Sequence, residues 1–458
     1  MEYLDKLNSK KDEFINDLSG LIAIPSLRDE KTIQKNAPFG KECRNALDYM
    51  LNLAKEDGFA VDDVDGYAGV ISYGEGDESV AMLGHLDVVP VDNEWSTNPF
   101  ELVIKDGVGF GRGILDDKGP TMAAYYALKM LKESKVNINK RIQLILGCDE
   151  ESGMECMKYY KENRTVPTLG FVPDADFPVI YGEKGILNFN LTGNPQTQIK
   201  RLVAGSRPNV VIGYAEVLME GQAKVELFES YLRSHHLEGQ FLEESNFTTY
   251  SIKGLSFHGS MPQKGINAAL HLLQFVYGAY QDEFAGKLSL LLGNPYGKGL
   301  KIDNDGSYMS ALTMNLGIIA ITPEHTSVTI DVRYPNDITS KFIVNQVKQA
   351  LLDNDVRLEI KDISDSKPLF VDPQSELVTT CMDVYREVSN DTFSPAKTMG
   401  GGTYARVFEN MVAYGPEFPT REKNENVGGP HEKNEGFLID DLLLASSIYA
   451  KVLEKLVK

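Results

Sequence analysis

The stretch LGHLDVVPV, residues 83–91, follows the apolar residues VAM and indicates how this chain folds. Residues two apart in a β-strand point to the same side, so His85 and Asp87 would lie side by side where the strand ends. The runs GVISYG, IQLILGC and LGFVP are also short and apolar, and helical segments such as GPTMAAYYALKMLKES and MECMKYYKE separate them. This alternation is typical of an α/β domain with a mixed, mainly parallel sheet flanked by helices.

The pattern changes after about residue 181 and changes back near residue 377. Between these points, two-sided strands and hairpin turns surround helical segments at AALHLLQFVYGA and SKFIVNQVKQALL, which predicts an α+β domain. We therefore predict one α/β domain built from residues 1–180 and 377–458, interrupted by a second domain of residues 181–376. A chain of 458 residues is long enough for two or three domains.

Helical spacing of apolar residues recurs at both ends of the chain. It predicts one helix over residues 4–22, a second over residues 41–57, and a long closing helix in FLIDDLLLASSIYAKVLEKL. The segment GVGFGRG lacks the GxGxxG spacing of a dinucleotide-binding loop, so we predict a hairpin turn there.

Composition and charge exclude several classes of partner. The formal net charge of -20 repels nucleic acid and anionic membranes. The first residues, MEYLDKLNSKKDEF, lack the layout of a signal peptide, and no apolar run reaches the roughly 18 residues that span a bilayer. The cysteines Cys43, Cys148, Cys156 and Cys381 show no CxxC spacing, so we expect them to be reduced and buried. These observations predict a cytoplasmic protein that binds neither nucleic acid nor membranes.

Four further stretches place charged side chains where a buried strand is expected to end. They are GRGILDDKGP (111–120), LGCDEESG (146–153), FVPDADFP (171–178) and GGPHEKNEG (428–436). Ligands of open α/β sheets bind outside the carboxyl ends of the strands, so these stretches can converge. Each one alone has a simpler explanation, such as a solvated loop, a helix start or a hydrogen-bonded polar residue. Together with His85 and Asp87 they favour a site for zinc, or for manganese where oxygen ligands predominate.

The motifs HLDVVP, GRGxxDDKGP, DEESG, PDADFP, SFHGSMPQKGINA and GGPHE occur in this order. They resemble the motifs of the aminoacylase and carboxypeptidase-G family of dinuclear metallopeptidases. DDKGP, PDADFP and the long middle segment are most similar to bacterial dipeptidases of the PepV type. The resemblance extends over essentially the whole chain. It implies a catalytic metal-binding domain that holds two divalent ions, Zn²⁺ or Mn²⁺, and a lid domain made of two similar halves.

Matched residue by residue, the resemblance implies the ligands of both ions. One ion would be bound by His85 and Asp174 and the other by Glu151 and His431, with Asp116 as the bridge. Asp87 would orient His85, and Glu150 would be the general base. Asp117 stands where many relatives carry methionine, so the resemblance implies no role for it.

The middle and last segments supply the implied substrate contacts. His258 in SFHGSMP would stabilise the oxyanion, and Arg333 and Asn209 would hold the terminal carboxylate and carbonyl of the substrate. A surface salt bridge is the alternative for Arg333. Gly402 and Thr403 lie in TMGGGTYARV, where backbone N–H groups ahead of a predicted helix could bind an anion. The histidines His235, His236, His271 and His325 match no motif and are expected to be structural or exposed.

The resemblance therefore predicts a hydrolase that cleaves dipeptides and short peptides with a free amino terminus. A deacylase of N-acyl amino acids or of N-succinyl-diaminopimelate is the first alternative, and the double-length middle domain speaks against it. A non-catalytic binding protein is the second, and Glu150 beside a complete ligand set speaks against that. The middle domain is long enough to replace a partner's domain, so we expect a monomer in which both domains close on the substrate. The preferred peptides and the physiological metal stay open.

Overall fold

The computed structural model describes residues 2–92, 94–422, 424 and 426–458. The chain forms two compact units. Unit 1 comprises Met1–Gly182, Phe370–Lys397 and Gly402–Lys458, and unit 2 comprises Glu183–Leu369 and Thr398–Gly401. The sequence predicted the boundaries at residues 180/181 and 376/377. Residues Phe370–Lys397 lie in unit 1, where the backbone N–H of Val371 donates to the carbonyl of Tyr181.

The helices and strands follow one another along the chain in three groups. Those of the first segment of unit 1 are α1 (Glu2–Ser9), α2 (Lys11–Ile22), α3 (Lys41–Glu56), β1 (Ala60–Val64), β2 (Ala68–Tyr73), β3 (Ser79–His85), β4 (Val103–Lys105), β5 (Val108–Phe110), α4 (Lys118–Glu133), β6 (Arg141–Gly147), α5 (Glu155–Asn163), β7 (Leu169–Val172), β8 (Ala175–Asp176) and β9 (Ile180–Glu183). Those of unit 2 are β10 (Gly185–Gly193), β11 (Ile199–Ala204), β12 (Tyr214–Glu220), α6 (Val225–His235), β13 (Glu238–Glu244), β14 (Phe247–Lys253), α7 (Ala268–Tyr280), α8 (Glu283–Leu292), β15 (Thr313–Ile321), β16 (Thr326–Tyr334), α9 (Ser340–Asp353) and β17 (Leu358–Ser366). The last group is β18 (Leu369–Phe370), α10 (Glu376–Ser389), β19 (Lys397–Met399), β20 (Met411–Ala413), β21 (Pro416–Glu417), β22 (Gly436–Leu438) and α11 (Ile439–Leu456).

Unit 1 is built on a mixed sheet with the strand order β1-β2-β6-β3-β7-β20-β9-β18. The neighbours β6, β3, β7 and β20 run parallel to one another, whereas β1, β2 and β9 are antiparallel to their partners. All seven residues of β3 are buried, which explains why its sequence is a continuous apolar run. The helices α4 and α11 pack against each other, and both carry mainly buried side chains. The predicted α/β class is confirmed.

Unit 2 contains an antiparallel sheet with the strand order β13-β14-β12-β11-β15-β16-β10-β17. Counted from its two edges inward, β13 corresponds to β17, β14 to β10, β12 to β16 and β11 to β15. The two halves also share a helical connection at the same place, because α6 links β12 to β13 and α9 links β16 to β17. The two halves meet where β11 and β15 pair. This is the topology expected of a domain with two similar halves.

Most predicted elements are present, but some differ from the prediction. The segment predicted as one helix over 4–22 is two helices, because Lys10 adopts φ -108° and ψ 13° and the Ser9 hydroxyl donates to the carbonyl of Lys6. The helices α6 and α8 were not predicted. The hairpin in GVGFGRG is confirmed by the antiparallel pairing of β4 and β5. Within the described residues, no helix combines the length and apolarity needed to cross a membrane.

Candidate metal centre

Three of the predicted acid and histidine clusters meet at one edge of the unit 1 sheet. The strand β3 runs parallel to both β6 and β7, and His85 at its end is level with Gly147 of β6. The loop with Glu150 and Glu151 follows β6, and Asp174 follows β7. The carboxyl ends of parallel strands lie together, which is the arrangement predicted from the sequence.

The other two clusters reach this edge by a different route. Residues 111–120 follow a strand, as predicted, but that strand is β5 of a small antiparallel sheet. The prediction that residues 428–436 also follow a strand was wrong, because they lead into β22 of the same small sheet. There, Gly436 pairs with Phe110 and the backbone N–H of Gly111 donates to the carbonyl of Glu435. This pairing brings Asp116 and His431 together.

The five predicted ligands form two groups that share Asp116. Nε2 of His85 lies 3.0 Å from Oδ1 of Asp116 and 3.9 Å from Oδ2 of Asp174. On the other side, Nε2 of His431 lies 3.0 Å from Oδ2 of Asp116 and 3.1 Å from Oε1 of Glu151. One carboxylate thus presents a different oxygen to each histidine. The ligand atoms of each group lie within 4.8 Å of one another.

This donor set fits two divalent cations. Ligand atoms about 2.1 Å from a common zinc ion in a tetrahedral site lie about 3.4 Å apart, close to the spacings between these atoms. Imidazole nitrogens with carboxylate oxygens suit zinc, and the excess of oxygen also suits manganese. Asp116 and Asp174 would hold one ion with His85, whereas Asp116 and Glu151 would hold the other with His431.

The pKa values reflect the crowding of charges. Burial lowers the pKa of His85, but its hydrogen bonds with Asp116 and Asp87 outweigh this effect and raise it. Hydrogen bonds with Asp116 and Glu151 raise the pKa of His431 to about 10. Burial raises the pKa of Asp174. Each imidazole that binds a cation must first lose its proton, so metal binding here is coupled to proton release.

Glu150 is a carboxylate close to the charges of His85, Glu151 and Asp116. Burial raises its pKa to about 8, and the charges of Glu151 and Asp116 add to this effect. Glu150 belongs to neither of the two ligand groups found among the described residues. A carboxylate with a raised pKa next to a cation site can accept a proton from water and release it again.

Asp87 contacts more of the site than the sequence suggested. Nδ1 of His85 lies 3.0 Å from the backbone carbonyl of Asp87 and 3.5 Å from its carboxylate. The two carboxylate oxygens accept hydrogen bonds from the backbone N–H groups of Glu150 and Glu151, each at 3.1 Å. Asp87 therefore connects the loop after β3 to the loop after β6.

Two buried carboxylates next to the ligands had no role in the sequence-based prediction. Oδ2 of Asp117 accepts the backbone N–H of His85 at 3.0 Å and the hydroxyl of Thr121 at 2.9 Å. Glu435 accepts the backbone N–H groups of Gly113, Leu115 and Asp116. Glu435 stands among polar residues in GGPHEKNEG, so its sequence context carries no signal that sets it apart.

The predicted substrate-binding residues of unit 2 lie on neighbouring segments. The carbonyl of Asn209 accepts the N–H of Gly259, next to His258. Nδ1 of His258 lies 2.7 Å from the Ser260 hydroxyl and accepts the N–H of Ser260 at 3.2 Å. A backbone N–H can only donate, so this contact favours the tautomer with the proton on Nε2.

Arg333 is buried rather than part of a surface salt bridge, with 5% of its surface exposed. Its guanidinium binds Asp331 through Nε at 2.7 Å and Nη2 at 2.9 Å, and Nη1 donates to the carbonyl of Gly400. Opposite Arg333 on β15, the hydroxyl of Thr313 donates to the carbonyl of Ser260. Arg333 and His258 are thus connected through Thr313 and Ser260.

Gly402 and Thr403 precede a single 3-10 turn, Tyr404–Val407, rather than the predicted helix. Thr403 is buried, and its hydroxyl oxygen accepts the N–H of Ala405. A Cβ at Gly402 would lie 2.3 Å from the guanidinium of Arg406. A turn this short offers few unpaired N–H groups, so the basis for an anion site there is weaker than expected.

The remaining histidines and the cysteines agree with expectation. His235, His236 and His325 are exposed, and Nδ1 of His271 lies 2.9 Å from the hydroxyl of Tyr231. All four cysteines are buried and free.

Comparison with known proteins relates this arrangement to peptidases. The model of "Peptidase family M20/M25/M40" matches residues 81–455. A protein of Staphylococcus epidermidis (strain ATCC 12228 / FDA PCI 1200) named "Putative dipeptidase" is 36% identical over 469 residues, which cover 98% of each chain. A protein of the same description from Staphylococcus aureus (strain USA300) is 36% identical over 472 residues, covering 99% of this chain and 98% of the relative.

Solved structures share the fold at lower identity. Human carnosine dipeptidase 1 superposes with a TM-score of 0.57 at 15% identity, over 100% of this chain and 98% of that chain. The M20 family metallo-carboxypeptidase of Sulfolobus solfataricus gives a TM-score of 0.60 at 16% identity, over 96% and 98%. At these identities the likeness concerns the fold alone.

Proposed function

The chain belongs to peptidase family M20/M25/M40 and is a metallopeptidase, and we propose that it is a dinuclear dipeptidase of the PepV type. Its substrates would be dipeptides and short peptides with a free amino terminus. One observation carries this proposal: the two carboxylate oxygens of Asp116 are divided between His85 and His431. A single cation site needs no such division. The staphylococcal relatives named as dipeptidases support the substrate class.

Two divalent cations bound at this centre would polarise the scissile carbonyl and lower the pKa of a water molecule. Glu150 would take the proton of that water and deliver it to the leaving amine. Asp87 would keep Glu150 in place, because its carboxylate accepts the backbone N–H of that residue. The carboxylate of Glu150 would be free to exchange a proton, because among the described residues it belongs to neither ligand group.

The unit 2 residues would bind the substrate. Nε2–H of His258 would donate to the oxygen that becomes negative in the transition state, and the tautomer favoured by Ser260 supports this role. Arg333 would bind the terminal carboxylate, and Asn209 would bind the carbonyl. The guanidinium of Arg333 is already held by Asp331 and Gly400, so little side-chain entropy would be lost on binding.

A substrate panel tests this function. We expect free dipeptides to be hydrolysed at least about 100-fold faster, in kcat/KM, than N-acetyl amino acids or N-succinyl-diaminopimelate, a difference of about 2.7 kcal/mol in transition-state binding. The Glu150→Gln protein is the matched control for contaminating peptidases. A preference for the acylated compounds would make the chain a deacylase. Two bound cations without any hydrolysis would make it a binding protein.

The oligomeric state and compartment are part of the same proposal. The two-half topology of unit 2 supports a monomer, since one half can replace a domain that a partner would otherwise contribute. Zn²⁺ and Mn²⁺ are both proposed as the physiological ion. The cytoplasmic location stays a prediction from the sequence.

A further inference from the structure

Glu435 is a completely buried carboxylate that binds four donors. Oε1 accepts the backbone N–H groups of Leu115 at 2.9 Å and Asp116 at 3.1 Å. The N–H of Gly113 lies 3.1 Å from Oε1 and 3.2 Å from Oε2. Oε2 accepts Nη1 of Arg112 at 2.6 Å. Glu435 has no exposed surface, and it is not among the ligand groups of the described residues. The carboxylate of Glu435 can therefore influence the metal centre only through the four groups that donate to it.

The groups bound by Glu435 belong to the segment that carries the shared ligand. Asp116 is the one residue present in both ligand groups, and its own backbone N–H is held by Glu435. Hydrogen bonds to an ionised acceptor are shorter and stronger than neutral ones. Three contacts within four residues, at positions 113, 115 and 116, therefore constrain the course of the backbone up to Asp116.

Arg112 and Glu435 also connect to the loop that carries His431. Glu435 lies four residues after His431, and Nη2 of Arg112 donates to the carbonyl of His431 at 3.4 Å. His431 has φ 65°, a left-handed conformation that is costly for a residue other than glycine. Surrounding contacts must hold it there. The Arg112–Glu435 ion pair therefore joins this loop to the segment of Asp116, in addition to the pairing of β5 with β22.

We propose that Glu435 is a positioning residue of the metal centre, which aligns Asp116 and His431 for cation binding without touching a cation itself. The proposal rests on the proposed metal centre. A buried ion pair could instead stabilise only the fold. The two roles differ in what they control: a structural role controls the stability of the protein, and a positioning role controls the affinity of the folded protein for metal.

The test compares metal affinity and fold stability in three variants. Glu435→Gln removes the charge but keeps the size, and the double variant Arg112→Gln/Glu435→Gln leaves no lone charge in the interior. Asp17→Asn is the control, because Asp17 is a buried acid that accepts the hydroxyl of Tyr126 and contacts none of the predicted metal ligands. Dissociation constants for Zn²⁺ and Mn²⁺ are measured by competition with a chelator, and unfolding midpoints are measured on the metal-free proteins.

We expect both Glu435 variants to bind metal about 10- to 100-fold more weakly than the parent protein, as is typical when a group that supports a ligand is lost. Asp17→Asn should lower the unfolding midpoint and leave both dissociation constants unchanged. Unchanged dissociation constants in the Glu435 variants would overturn the proposal, and so would a failure of both variants to fold, which would make Glu435 a determinant of the fold. If the parent protein bound no metal, the proposed function itself would be wrong.

Discussion

Nδ1 of His85 lies closer to the backbone carbonyl of Asp87, at 3.0 Å, than to the carboxylate of Asp87, at 3.5 Å. A carbonyl oxygen can only accept, so this contact places the ring proton on Nδ1 and leaves Nε2 to face Asp116. The backbone of Asp87 can thus orient the imidazole without its side chain. The carboxylate is then available for the loop of Glu150 and Glu151.

We therefore expect Asp87→Asn to impair catalysis more than metal binding. An amide has one accepting oxygen, so the backbone N–H of either Glu150 or Glu151 would face an NH₂ group instead of an acceptor. The expected result is a fall in kcat of at least about 10-fold, or about 1.4 kcal/mol, with two metal ions still bound per chain. Metal content and steady-state kinetics measure the two effects. Loss of the metal bound by His85 would show that the carboxylate, and not the carbonyl, orients the ring.

Glu150→Gln should retain both metals and lose at least about 10²-fold in kcat, because only proton transfer is removed. The neighbouring change Glu151→Gln is the matched control, since Glu151 belongs to the ligand group with His431. That control should lose affinity for metal. If the two variants exchanged these outcomes, the assigned roles would have to be exchanged as well.

Chelation should abolish hydrolysis and lower the thermal stability of the protein, and a divalent ion should restore both. At a free metal concentration about 100 times the dissociation constant, one ion bound only by the folded state adds about 2.7 kcal/mol to the free energy of unfolding. Thermal scans at several metal concentrations measure this increment. A midpoint that is independent of metal, in a protein that stays fully active in chelator, would refute the metal centre.

Arg333→Lys should reduce the preference of the enzyme for a free terminal carboxylate. The parent protein is expected to prefer a dipeptide over its amide, and lysine lacks the planar fork that binds a carboxylate with two donors. The ratio of kcat/KM for the two substrates measures this preference. Asp331→Asn is the control, because it disturbs the ion pair but keeps the guanidinium. An unchanged ratio in Arg333→Lys would leave Arg333 as a structural residue.

Mixing two inactive proteins tests the expectation of a monomer. If each chain contains a complete site, Glu150→Gln protein mixed with His258→Ala protein should remain inactive. If His258 instead served the partner of a dimer, mixed dimers would regain activity in sites that receive both intact residues. Sedimentation over a range of protein concentrations provides the independent measurement. Recovered activity or a stable dimer would contradict the proposal.

Local patterns in the sequence were sufficient to predict the α/β class. The run that ends at His85 is apolar because β3 is buried on both faces. Burial of a whole strand requires a run of apolar residues, and such a run can be seen in the sequence alone. The same holds for β6, β7, α4 and α11. The ligand residue types were also visible, because the motifs around His85, Glu151 and Asp174 directly follow strands whose carboxyl ends share one edge.

Only the tertiary structure decided how the remaining ligands reach that edge. Asp116 and Glu435 are 319 positions apart, and they meet because β5 pairs with β22, two strands of three residues each whose pairing no local pattern encodes. For the same reason, the hydrogen-bond donors to Asp87, Asp117 and Glu435 could not be predicted from the sequence. A buried carboxylate accepts hydrogen bonds from the N–H groups that the fold brings within about 3 Å. Which N–H groups these are depends on contacts between distant segments of the chain.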